Sequence, residues 1–115
     1  MAALIYEFAR IPKPPTQFRH QRDTMAVVHY VAEEGERVEP GEPLVLLENW
    51  WARFELVCRA PGTVAKNLFD AVPGIEVPTD TAVVFLFFDP ADLPKVGELF
   101  ELRHLADVRE RPPAR

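Results

Sequence analysis

Short apolar runs separated by turn residues recur along this chain and predict β-strands. In the stretch from Gly41 to Val64, two such runs, Leu44–Leu47 and Phe54–Cys58, flank a short break. We expect a β-hairpin there, followed by a turn at 60–62. Further strands are predicted at 3–8 and 25–31, from Val38 to the turn at Pro40-Gly41, and at 62–68, with a short strand or turn at 75–78 and a final strand at 81–88. The last of these is continuously apolar, which is typical of a strand buried on both faces.

A repeat with an offset of 39 residues indicates two similar halves. Glycine or aspartate marks the turns in both copies, and the apolar positions keep their spacing. The repeat matches Gly35, Val38, Gly41, Leu44 and Leu47 with Gly74, Val77, Asp80, Val83 and Leu86. We therefore predict an all-β fold, a flattened β-barrel or sandwich whose two halves are related by a pseudo-twofold axis.

The pattern changes from Asp89 onward and predicts a helical C-terminal tail. Asp89 followed by Pro90 is typical of a helix start, since aspartate caps the first turn and proline suits its first position. Apolar residues between 98 and 107 lie close to helical spacing, so we expect a short amphipathic helix there. The predicted parts are an N-terminal strand and proline-rich lead-in at 1–24, a main domain at 25–88 and a helical tail at 89–115.

Charge and cysteine content exclude several classes of partner. Lys and Arg total 13 against 18 Asp and Glu, and the net charge of −5 disfavours nucleic acid and anionic membranes. The longest apolar run, 82–88, is too short to span a bilayer. A single cysteine, Cys58, allows no internal disulfide, and the N-terminus lacks a secretory signal pattern. We expect a cytoplasmic protein that binds neither nucleic acid nor membranes.

Residues suited to catalysis or metal binding are sparse. Cys58 lies in a predicted strand, where a buried thiol is inert, and its neighbour Arg59 points to the opposite face. The three histidines, His20, His29 and His104, have no second histidine or cysteine at ligand spacing. The acidic residues between 33 and 42 are typical of a solvated turn. We predict no enzymatic activity, no metal and no cofactor.

The central stretch resembles the lipoyl and biotinyl carrier domains. These domains carry G-x-P-L, a strand, a hairpin tip with Glu-x-x-Lys-Ala or Glu-Ala-Met-Lys-Met, and a strand that closes on G-T-V. The matching residues here are Gly41, Pro43, Leu44, Glu48, Ala52, Glu55, Gly62, Thr63 and Val64, preceded by an E-G-E-R-V turn at 34–38. The resemblance covers roughly 27–88 and implies a barrel-sandwich hybrid with an exposed hairpin tip.

The resemblance fails at the lysine to which the family attaches its cofactor. Trp51 occupies that position, and an indole has no nucleophilic amine with which to form the amide. Trp50 and Ala52 do not replace it, and the nearest lysine, Lys66, lies beyond the hairpin. The carrier function of the family is therefore not expected here.

Two adjacent tryptophans at a hairpin tip predict a binding surface. Tryptophan is enriched in interface hot spots, and successive residues of a hairpin point in different directions, so at least one indole is hard to bury. We predict an unmodified, non-catalytic module for protein interaction or assembly, whose partner is another protein or a second copy of the chain. The predicted interaction residues are Glu48, Asn49, Trp50, Trp51 and Ala52.

Three alternatives remain open from the sequence. The indoles could fold back over the barrel as part of its core. They could instead stack on a planar or cationic small ligand bound without a covalent link. The chain could also be an accessory subunit of a carrier-dependent enzyme complex, with Cys58 contributing chemistry.

Overall fold

The apolar runs form nine β-strands within residues 3–13, 24–69, 76–93 and 97–107, which are the residues described by a computed structural model. The strands are β1 (Ile5–Arg10), β2 (Thr24–Tyr30), β3 (Arg37–Val38), β4 (Pro43–Glu48), β5 (Ala52–Cys58), β6 (Gly62–Asn67), β7 (Glu76–Pro78), β8 (Ala82–Phe88) and β9 (Phe100–Asp107). The all-β prediction is confirmed.

The strands make two antiparallel sheets that are not closed into a barrel. A four-stranded sheet has the order β1-β8-β6-β3, and a five-stranded sheet has the order β7-β2-β4-β5-β9. The inward side chains of both sheets form one core, because apolar residues alternate with outward residues along most strands. Phe54, Phe88, Met25, Leu44 and Leu86 are among its fully buried members.

Each half of the chain contributes one strand to the opposite sheet. β2 and β4 pair in the five-stranded sheet, whereas β3 crosses over to pair with β6. In the same way, β6 and β8 pair in the four-stranded sheet, whereas β7 crosses over to pair with β2. Gly41 and Asp80, which the sequence repeat matches, both have left-handed backbone, with φ of 86° and 71°. Asp80 is the only described non-glycine residue with positive φ.

The helix predicted over 98–107 is wrong, because this segment is the edge strand β9. Phe100 and Leu102 face the core two residues apart, which is the spacing of a strand. The helical spacing relied on Leu105 and Ala106, and both are exposed in the strand. β5 has an open edge whose backbone groups need partners, and a strand supplies them along its length. A helix of this length is marginal in water without tertiary packing.

The helix start at Asp89 is found, although it extends for only one turn. Pro90–Asp92 is a 3-10 helix, and the Asp89 side chain accepts a hydrogen bond from the backbone N–H of Ala91 at 2.9 Å. The end of the predicted tail, 108–115, lies outside the described residues, as do 14–23 of the proline-rich lead-in.

Candidate interaction site

The tip of the β4–β5 hairpin is shaped by the Asn49 side chain. The backbone N–H of Asn49 donates to the Ala52 carbonyl at 3.0 Å. In return, Asn49 Oδ1 accepts from the N–H groups of Trp51 and Ala52 at 2.9 and 2.8 Å. The side-chain oxygen thus imitates the backbone acceptor of a turn, which is the property that favours asparagine at such positions. Asn49 is buried, so its role is to fix the loop.

The hairpin that carries this tip is held on both sides. β4 pairs with β2 and β5 pairs with β9, so the hairpin lies inside the five-stranded sheet. The pairing extends to the last residues of both strands, where Glu48 lies opposite Ala26 and Ala52 lies opposite Asp107. A loop on such a support keeps its shape, because both strands leading into it are hydrogen-bonded along their length.

The two tryptophans occupy different environments. Trp50 is 72% exposed, the largest value for any exposed large apolar residue that the structure describes. Trp51 is half-buried and packs against the core, and Ala52 is fully buried at the start of β5. The structure therefore brings all five predicted residues together at the tip, but it presents Trp50 to solvent far more than its neighbours. The alternative in which the indoles fold back over the core therefore describes Trp51.

Charged side chains lie on the strand ends that support the tip. Glu48 and Arg53 form an ion pair of 3.6 Å across the hairpin. On the neighbouring strand, His104 Nε2 lies 2.8 Å from Asp107 Oδ1. A large apolar side chain bordered by polar groups is the composition of a protein interface, in which a central anchor is surrounded by a solvated rim.

Cys58 has the environment of a structural thiol. It is fully buried, and its Sγ donates to the carbonyl of Ala60 at 3.2 Å. Burial raises the pKa of the Cys58 thiol, because the thiolate loses its hydration. The reactive form is therefore disfavoured as well as inaccessible.

Other candidate chemistry is limited in the part of the chain that the structure describes. No group of three His, Cys, Asp or Glu side chains there could hold a metal ion. His29 is exposed in β2, and His20 lies outside the described residues. Among the described helical segments, none has the length and apolar character needed to cross a membrane.

An aromatic cluster on the outer face of the four-stranded sheet was missed by the sequence analysis. Tyr6 and Phe8 of β1 lie beside Phe85 and Phe87 of β8, with ring centroids 4.6 Å apart for Phe8–Phe85 and 5.2 Å for Tyr6–Phe85. The prediction that β8 is buried on both faces holds only in part, since Phe85 and Phe87 face outward and are partly exposed. Tyr6 and Phe8 are two residues apart, which was the available signal. Their pairing with β8 was not visible in the sequence.

One surface cavity of about 240 Å³ bears on the small-ligand alternative. Its walls are Leu4, Arg37, Pro61, Gly62, Thr63, Phe87, Asp89 and Asp92. None of these residues belongs to the hairpin tip, so this cavity does not place a ligand against the indoles.

Comparison of the chain with family models, with curated proteins and with solved structures found no match.

Proposed function

We propose that this protein is a non-catalytic interaction module that binds a protein partner through Trp50. The observation that carries the proposal is the exposure of this one indole, 72%, at the end of a hairpin held on both sides by neighbouring strands. Folding normally removes such a side chain from water. A tip that holds it outward is suited to bury it in a pocket of another protein.

The exposed area of Trp50 is large enough to dominate a small interface. Aromatic side chains bury about 150–250 Å² each, so an indole exposed to this degree has roughly 180 Å² left to bury. At about 25 cal/mol per Å², its burial is worth about 4.5 kcal/mol before the costs of association. Hot-spot residues retain about 2 kcal/mol or more, which corresponds to roughly 30-fold in Kd. The Asn49 turn keeps the ordering cost of the tip low.

We also propose that the chain has the fold of a lipoyl or biotinyl carrier domain. Three features support it: the hairpin tip at 48–52, the opening of β6 on Gly62-Thr63-Val64, and the crossing of β3 and β7 to opposite sheets. In such a fold, Trp51 occupies the position of the lysine that carries the cofactor. Its indole packs against the core and offers no amine. We therefore expect an unmodified chain, in which the adjacent exposed indole replaces the carried group as the feature that partners recognise.

A binding experiment with matched variants tests the proposal. The full chain is used as bait in its native host, and captured proteins are compared among the wild type, Trp50→Ala and Tyr6→Ala. Tyr6 is the matched control, because it is also an exposed aromatic residue but lies on the other sheet. We expect Trp50→Ala alone to weaken capture by roughly 30-fold. Equal capture by all three chains would contradict the proposal.

Two further measurements check that Trp50→Ala is folded and that the chain is unmodified. Trp50→Ala should leave the melting temperature close to that of the wild type, because an exposed side chain contributes little to folding. The intact mass of the chain purified from its host should equal the unmodified sequence mass. An adduct of lipoyl or biotinyl size would contradict the unmodified state.

A further inference from the structure

β9 exposes a long edge of the five-stranded sheet. Seven of its eight residues pair with β5 on one side, Leu105 being bulged out of the register, and no described strand pairs with the other side. Five of the eight residues are exposed, and the strand contains no proline. An edge of this kind offers free N–H and C=O groups to another strand, which natural sheets usually prevent with short strands, prolines, bulges or charged side chains. The charged side chains of β9 are of both signs, so a second copy can complement them.

The direction of the backbone groups along β9 follows from its contact with β5. The N–H of Arg59 donates to the Leu99 carbonyl at 2.8 Å. Because bonding direction alternates along an antiparallel strand, the backbone groups of Glu101 and Arg103 also point to β5. The N–H and C=O of Leu102 therefore point to the open edge. Its side chain packs against the core, while the neighbouring charged side chains lie on the outer face.

From this arrangement we propose that two copies of the chain form a symmetric dimer by antiparallel pairing of β9, with Leu102 opposite Leu102 of the second copy. Each Leu102 then donates its N–H to the carbonyl of the other. In the same register, Glu101 of each chain lies directly opposite Arg103 of its copy. The twofold axis of the dimer repeats every contact, so two Glu101–Arg103 ion pairs form.

The charges select this register over its neighbours. Moving the axis by one residue places Glu101 opposite itself or Arg103 opposite itself, and like charges directly across a sheet are destabilising. Slipping one strand by one residue instead places the core face of one copy beside the outer face of the other. On the β5 side, Nη1 of Arg103 lies 2.9 Å from Oε1 of Glu55. In the dimer, Arg103 lies between two carboxylates.

This pairing joins the two five-stranded sheets into one sheet of ten strands. Asp107 lies opposite Ala52 beside the hairpin tip, and in this register the two copies of Asp107 are ten residues apart along the strands. Because Leu105 of each copy is bulged out of the pairing with β5, this separation corresponds to eight extended residues, or about 26 Å between the two tips at about 3.3 Å per residue. The dimer is independent of the interaction proposed for Trp50, and it would present that indole twice.

Sedimentation equilibrium of the full chain tests the dimer through charge reversal. The wild type is expected at twice the chain mass of 13.1 kDa. E101R and R103E each create two like-charge pairs, so each should raise the dimer Kd at least tenfold. An equal mixture of the two variants should restore a dimer, because the arginines of one chain then face the glutamates of the other. Misfolded variants could not restore each other in this way.

Two controls separate this interface from other contacts. K66E changes the net charge by the same amount as R103E, but on an exposed position of β6, so it should keep the wild-type Kd. W50A should also leave the dimer intact. A monomeric wild type at roughly 100 µM, unchanged dimerisation in both β9 variants, or a mixture that stays monomeric would each overturn the proposal. A dimer lost only in W50A would assign self-association to the hairpin tip instead.

Discussion

Gly62, the first residue of β6, lies against the ring of Phe88, and its replacement by alanine tests the packing of the four-stranded sheet. A Cβ at this position would lie 2.5 Å from Cε1 and 2.7 Å from Cδ1 of Phe88. These distances are well inside van der Waals contact. The ring is 1% exposed, so it has no open space into which it could turn. Glycine is therefore required at position 62 of the G-T-V stretch, because the buried ring of Phe88 leaves no room for a Cβ.

The expected loss follows from the cost of overpacking a core. Inserting a methyl group that the surroundings cannot accept costs about 1–3 kcal/mol, and the close distances to Phe88 favour the middle of that range. For 115 residues, the entropy of unfolding is about 240 cal/mol/K. A loss of about 2 kcal/mol therefore lowers the melting temperature by about 8 °C.

Thermal unfolding followed by circular dichroism measures this change, and Phe88→Leu supplies the second half of a double-mutant cycle. Phe88→Leu alone should be destabilising, because it leaves space in the core. Combined with Gly62→Ala, that space accepts the new methyl group, so the double variant should be more stable than the sum of the single losses predicts, by about 1 kcal/mol. A single Gly62→Ala loss below about 0.5 kcal/mol, or strict additivity, would refute the steric argument.

Two further predictions concern the hairpin tip and the buried thiol. Asn49→Ala should lower the free energy of unfolding by about 1–2 kcal/mol in urea, because the amides of Trp51 and Ala52 lose their shared acceptor, and Asn49→Asp should recover most of the loss. Native Cys58 should resist a soluble disulfide reagent and react only after unfolding; fast reaction of the folded chain would show that the thiol is accessible. Its raised pKa means that the folded state keeps the proton more tightly. This contribution to stability is therefore complete below the unfolded-state pKa and is lost as pH rises above it. A urea midpoint that rises in the same alkaline range would contradict that sign.

The central hairpin was predictable because all of its signals are local. Two apolar runs, the break between them and the turn at 60–62 lie within one short stretch. The tip residues could be identified for the same reason. The different exposure of Trp50 and Trp51 could not, because it depends on which indole turns toward a core built from both sheets.

The strand β9 could not be predicted from local sequence signals. Its apolar residues fit both a period of two and a helix, so the sequence alone does not separate these structures. The open edge of β5 decides the outcome, and that edge exists only after the five-stranded sheet has formed. The aromatic cluster escaped prediction for a related reason, since Tyr6 meets Phe87 across most of the length of the chain.

The pairing of β1 with β8 has a consequence for the order of folding during synthesis. Ile5 lies opposite Phe88, so β1 has no partner until the ribosome has added about 80 further residues. At about 5–20 residues per second, this delay is roughly 4–16 s. Throughout that interval Tyr6 and Phe8 are on a nascent chain without the β8 rings that they later contact. Among the described strands, β1 is therefore made before the others but is among the last to join a sheet. Until then, the side chains of Tyr6 and Phe8 add apolar surface to the nascent chain, the kind of surface that chaperones shield.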